Sequence, residues 1–164
     1  MTRLELFRKE LGREATATRK MLAAVPTDKF DWKPHPKSMS IRQLANHIAD
    51  LPAWSTFVLN SSELDFAKME YTPKETNDTT ALVEAFETNL KEGLNALNNG
   101  KEESLEEPWT LRNGEQIYSV EPKAEVIRMS ISQIIHHRAQ LGVFLRLLDV
   151  PIPGSYGPSA DESF

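Results

Sequence analysis

Apolar residues recur at three- and four-residue intervals in four long segments of this chain, and turn-forming residues separate those segments. That spacing is the helical period, so each segment is expected to bury one stripe against the others. The first helix is expected from about Thr2 to Ala24. Leu4, Phe7, Leu11, Ala15, Thr18, Met21, Leu22 and Val25 lie on its stripe, and Pro26 closes it. The second begins at Ser40, where Ser40 and Gln43 have capping-box spacing and Met39 and Leu44 occupy the staple positions around the cap. It carries Ile41, Leu44, Ile48, Leu51 and Phe57 to about Asn60. Pro52 lies inside it, removes a backbone donor, and should bend or divide it. The third covers about Thr79 to Leu97, with Leu82, Phe86, Leu90, Leu94 and Leu97 inward and Asn98, Asn99 and Gly100 ending it. The fourth opens at Pro122, a residue suited to a first helical turn. It runs to about Leu148 through Val126, Ile127, Ile131, Ile134, Leu141, Phe144, Leu145 and Leu148.

The intervening segments differ in kind. TDKFDWKPHPKS holds two prolines around His35 and reads as a loop. The polar linker SSELDFAKMEYTPKETNDT is long enough to cross the length of a bundle. In EESLEEPWTLRNGEQIYSV, Asn113-Gly114 sits between Trp109-Thr110-Leu111 and Gln116-Ile117-Tyr118, which predicts a short hairpin or tight turn. The closing VPIPGSYGPSADESF, with three prolines and two glycines, is expected to be an extended tail lying on the bundle. The expectation is an all-α four-helix bundle forming one domain over residues 1–164.

A chain of 164 residues buries roughly two thirds of its unfolded surface and builds a core without covalent staples. It has no cysteine, so disulfides, thiolate metal sites and thiol nucleophiles are excluded. Chemistry here must use oxygen or nitrogen groups, a metal, or a thiol carried by the substrate. The opening MTRLELFRKELGRE has alternating charges and no apolar core, and no stretch approaches the roughly 20 apolar residues of a membrane span. A cytoplasmic protein with no membrane partner is expected. The formal charge is −5 and the basic residues are scattered, which argues against nucleic acid as a partner.

Helix positions three or four apart share a face. His47 is aligned with Leu44 and Leu51, and His137 with Gln133, Ile134, Leu141 and Phe144, so two histidines and one glutamine point toward the core from two helices. His136 sits one position round, nearer the rim, and His35 lies on the surface. Metal sites in bundles are built from such side chains on facing helices, and imidazole suits zinc, nickel, iron and copper. The plainer alternative is a hydrogen-bonded core histidine with Gln133 as its partner. Asp50, three residues after His47, is either a support for that ring or a charge facing water. Arg138 could hold an anionic substrate or, as is commoner, make an ion pair with a neighbouring helix. Trp32, Trp54 and Trp109 read as packing anchors. Nothing resembles a nucleophile elbow or a phosphate-cradling loop.

The stretch SIRQLANHIADLPAW, followed by SQIIHHRAQLGVFLRLLDVPIPGSYGPSADE and including FDWKPHPKSMS, resembles the DinB-like family over nearly the whole chain. The resemblance implies an up-down-down-up bundle, for which the long linker supplies the crossover that parallel neighbours need. It implies a divalent metal, often zinc or nickel, held by three histidines: one from the second helix, which His47 matches, and two from the fourth in an H-x-x-H-H-R pattern. Here that pattern reads Gln133-Ile134-Ile135-His136-His137-Arg138, so His137 matches the second ligand and Gln133 replaces the first. The expected metal set is therefore His47, Gln133 and His137, weakened at Gln133. By the same resemblance the chain is a homodimer. Its implied function is a metal-dependent thiol S-transferase or hydrolase acting on a small molecule, with a low-molecular-weight thiol as the implied partner. Bacillithiol and mycothiol S-transferases and maleylpyruvate isomerase are the related enzymes. The alternative is a non-catalytic bundle that has lost the metal and serves in binding or stress response.

Overall fold

The computed structural model describes residues 1–68, 72 and 75–163; the middle of the polar linker lies outside the described residues. Helix α1 spans Arg3–Ala23 and is closed at its start by a capping box between Thr2 and Glu5. Helix α2 spans Ile41–Asp50, and both hydrogen bonds of the Ser40–Gln43 box are present. Pro52 divides the second rod. A 3-10 turn over Leu51–Ala53 separates α2 from α3, Trp54–Asn60. Helix α4 spans Thr79–Asn99, capped by the Asp78 side chain, and α5 spans Lys123–Leu147 after Pro122.

The expectation of an all-α chain is corrected, because the fold also contains a three-stranded sheet. Strand β2 (Pro108–Asn113) and β3 (Gln116–Pro122) form an antiparallel hairpin, and β1 (Glu63–Asp65) joins β2 in parallel, Leu64 opposite Leu111. The third strand forms because the linker carries its own fastener. Asp65 Oδ1 accepts from the Gly114 amide at 2.8 Å and from the Ala67 amide at 3.0 Å. Gly114 takes a positive φ of 59°, which its missing side chain permits. Trp109 is buried under the hairpin, donates from Nε1 to Ser61 Oγ, and packs on Trp54 and Phe57, an anchoring role as expected.

Contacts between the rods give their directions. Along α1 and α4, Thr27 meets Thr79, Arg19 pairs with Glu87, and Gly12 lies by Leu94, so these two are antiparallel. Along α2 and α4, Asn46 bonds Thr76, the Ala49 carbonyl accepts from Asn89, and Pro52 faces Gly93, so these are parallel. Between them the linker returns from Ser61 to Thr76, whose amide and hydroxyl both donate to Asn46 Oδ1. Helix α5 runs parallel to α1, with Arg138 against Glu14 and Gly142 against Met21. It runs antiparallel to α2–α3, with Gln133 against His47 and Lys123 against the Leu59 carbonyl. The tail lies back on α1 and α5, pinned by Arg146–Asp161 and Lys20–Glu162 ion pairs.

Two side-chain positions hold this arrangement. The Arg138 guanidinium, 3% exposed, donates to the Glu14 carboxylate at 2.7 Å, the Glu14 carbonyl at 3.1 Å and Thr18 Oγ1 at 3.0 Å. A buried cation left without its partner costs about 3–5 kcal/mol. Glu14→Leu should therefore lower unfolding stability by about that much in denaturant titration; a loss below about 1 kcal/mol would show that the pair is dispensable. At Gly93 a Cβ would lie 2.3 Å from the Pro52 carbonyl oxygen. Helix α4 crosses the broken rod there because no side chain intervenes. Gly93→Ala gains about 0.5–1 kcal/mol of helix preference but forces the rods apart. Overpacking costs about 1–3 kcal/mol, so net destabilisation is expected. A raised melting temperature would contradict it.

Candidate functional site

The capping box fixes where α2 starts, and so fixes the direction in which His47 points two turns later. Its ring faces α5. His47 Nε2 lies 3.2 Å from Gln133 Oε1, and its ring centroid lies 4.8 Å from that of His137, with the rings edge to face at 76°. The three residues expected from the sequence are thus neighbours. All three are half-buried. The exposed His136 lies against His137 at 4.9 Å. His35 is remote and exposed, its Nδ1 accepting from the Lys37 amide. Asp50 is half-buried in a groove between α2 and α4. Arg138 turns away from the histidines into its pair with Glu14, with Tyr156 of the tail 5.6 Å over its guanidinium, so it is the structural alternative that the fold realises.

Sequence reasoning missed Gln140. His137 Nδ1 and Gln140 Oε1 are 2.8 Å apart. An amide oxygen only accepts, so Nδ1 carries the proton and Nε2 carries the lone pair. The signal was available, since the two residues are three apart on one helix. The same rule applied to His47 puts its proton on Nε2, donated to Gln133 Oε1. Desolvation holds His137 below the ordinary histidine pKa. The neighbouring His47 and His136 push in the same direction, and the Gln140 hydrogen bond opposes them. His137 is therefore a neutral ring at neutral pH.

Chemically, the cluster offers two imidazoles and one amide oxygen. Two donors bound tetrahedrally to one zinc at about 2.1 Å lie roughly 3.4 Å apart. The 3.2 Å between His47 Nε2 and Gln133 Oε1 suits either a direct hydrogen bond or two atoms sharing an ion. Among the described residues, no group of three His, Cys, Asp or Glu side chains is placed to hold a metal. No helix among the described residues is long and apolar enough to cross a membrane.

The same architecture occurs in solved structures. A DinB-like protein from Bacillus cereus is 18% identical, with a TM-score of 0.70 over 93% of this chain and 97% of that one. A DinB-like protein from Bacillus subtilis is also 18% identical, with a TM-score of 0.68 over 90% and 96% of the two chains. A mycothiol-dependent maleylpyruvate isomerase is 14% identical, with a TM-score of 0.61 over 85% of this chain and 60% of its own. At these identities the likeness is one of fold. No curated protein matches the sequence. The DinB family model matches residues 1–163, and the chain belongs to that family.

Proposed function

We propose that this protein binds a divalent metal ion weakly between His47, Gln133 and His137, and acts there as a thiol S-transferase or hydrolase on a small molecule. The observation that carries the reading is the convergence of the three groups from α2 and α5. The solved mycothiol-dependent isomerase of similar fold supports the thiol class. The donor set fits zinc or nickel by type, but the amide oxygen is neutral and a poorer donor than imidazole to either. A bound ion would supply Lewis acidity toward a water or a thiol. The chain's own part is to present the His137 Nε2 lone pair, oriented by Gln140, and to keep that ring unprotonated by burial. His47 joins the set once its proton resides on Nδ1 instead of Nε2.

A second reading is favoured by one observation. The 3.2 Å contact already satisfies both His47 and Gln133 without an ion. On that reading the cluster is a polar seam between α2 and α5, and the protein is a non-catalytic member serving in binding or stress response.

Zinc titration calorimetry at neutral pH on tag-free protein separates the two. Gln133→His restores a second imidazole one turn before His137, and it should raise zinc affinity at least about tenfold, or roughly 1.4 kcal/mol. Equal affinities in the two proteins would remove Gln133 from the ligand set and leave the hydrogen-bonded seam.

The proton state gives an independent check. The folded pKa of His137 is depressed, so between that value and the unfolded one near 6.5 the unfolded chain binds more protons. Its contribution to stability is fully present above about pH 6.5 and is lost as pH falls toward the folded value. In a histidine NMR titration the His137 ring should titrate below about 6.5, and a midpoint above that would contradict the burial argument.

A further inference from the structure

We propose that Asn113 is a modification site, an asparagine that its own backbone converts to aspartate and isoaspartate whenever the Gly114 amide is released, and that Asp65 is the residue guarding it. The chain has two Asn-Gly steps, Asn99-Gly100 and Asn113-Gly114. Such steps are the most open to this reaction, because glycine puts no side chain in the way of the attacking nitrogen.

The chemistry needs only water. The Gly114 nitrogen loses its proton and forms a bond to Asn113 Cγ, closing a succinimide ring. The Cγ–Nδ2 bond breaks, and the side-chain nitrogen takes up a proton and departs as ammonia. Water then opens the ring. Attack at Cγ leaves aspartate, and attack at the main-chain carbonyl carbon leaves isoaspartate, whose backbone runs through Cγ. Nothing is oxidised or reduced.

The fold restrains the nitrogen and not the side chain. Asn113 is exposed, and its side-chain amide makes no hydrogen bond among the described residues. The Gly114 N–H is donated to Asp65 Oδ1 at 2.8 Å, and Asp65 is 4% exposed. Removing that proton sets a nitrogen anion beside a carboxylate where water screens little. Asp65 is also a poor base. The Gly114 and Ala67 amides hold its carboxyl below the usual aspartate range, and Lys68 and Arg112, 3.8 and 4.0 Å from Oδ2, favour its charge. Asn113 pairs with Gln116 across the hairpin, and the ring closes only once it leaves that extended pairing. Asn99 is held differently: its Nδ2 donates to the Asn95 carbonyl and Oδ1 at 3.0 and 2.9 Å, which turns the side chain back along α4.

Strand β1 has three residues, so it opens more readily than the hairpin it joins. Isoaspartate at 113 reroutes the main chain and adds a carboxylate beside Asp65. The reaction thereby turns a transient release of β1 into a lasting one, and the linker is loosened at that end while Asn46 still holds Thr76 at the other.

A time course of the full chain at mildly alkaline pH tests this. Mass spectrometry of tryptic peptides 113–123 and 92–101 reads the two asparagines separately. In the native protein Asn113 should convert at least about tenfold more slowly than in the urea-unfolded chain. Asp65→Ala should speed conversion of Asn113 at least about tenfold and leave Asn99 within about twofold. Asp65→Asn keeps an acceptor oxygen without the charge and should fall between, with its helical circular dichroism unchanged, so the test stands even where Asp65→Ala fails to fold. Asn113→Gln should abolish conversion at 113. Equal rates in native and unfolded chains, slower conversion in either Asp65 variant, or equal acceleration at Asn99 and Asn113 would each overturn the proposal.

Discussion

A helix packed among others can still turn about its own axis, and in α5 that freedom is removed by Arg138. Its guanidinium is sealed against Glu14 and Thr18 on α1, where an unpaired charge could not remain. Once that side chain faces α1, the 100° step per residue dictates the rest. His137 and Gln133 face α2, and Met129, His136, Ala139 and Val143 face away from the core. The histidine cluster and the exposed, uncharged face of α5 are two consequences of one ion pair. Tyr156 of the tail then lies over the guanidinium, which ties the C-terminal strap to the same point.

Local signals made the helical part of this fold readable. The capping box at Ser40 joins residues three apart, and Pro52 breaks the second rod through its own missing donor. The facing of His47 and His137 followed from helical spacing because each lies on a strong apolar stripe. What the sequence concealed depends on distant partners. Glu14 reads as one more charge on a highly charged helix, and only the fold brings it to Arg138, 124 positions away. Strand β1 is a polar stretch with little strand character of its own. It becomes a strand because Asp65 reaches the Gly114 amide, 49 positions on. That is why an all-α reading was natural and incomplete.

The second rod shows how a break is put to use. Dividing the rod at Leu51–Ala53 presents the Pro52 carbonyl to α4, where Gly93 has no side chain to meet it. Two parallel helices then approach closely at one level. The linker that makes them parallel is fastened at its far end by Asn46, adjacent to His47 in sequence. The residue that anchors the crossover and the residue that enters the site are therefore carried by the same turn of α2.

The charge balance of the site bears on what it can bind. Gln133 carries no charge, burial keeps His137 neutral at neutral pH, and no carboxylate completes the cluster among the described residues. A doubly charged ion held only by neutral donors keeps its full charge, and half-buried surroundings screen that charge less than water does. Such an ion favours an anionic group from solution, which this chain, lacking cysteine and placing no acid there, does not supply itself. On the proposed metal-dependent reading, that asymmetry would favour a small molecule that brings its own thiol or acid. On the same reading, an amide rather than an imidazole at Gln133 would hold an ion more loosely, while its 3.2 Å contact gives the His47 ring a hydrogen-bond partner without an ion.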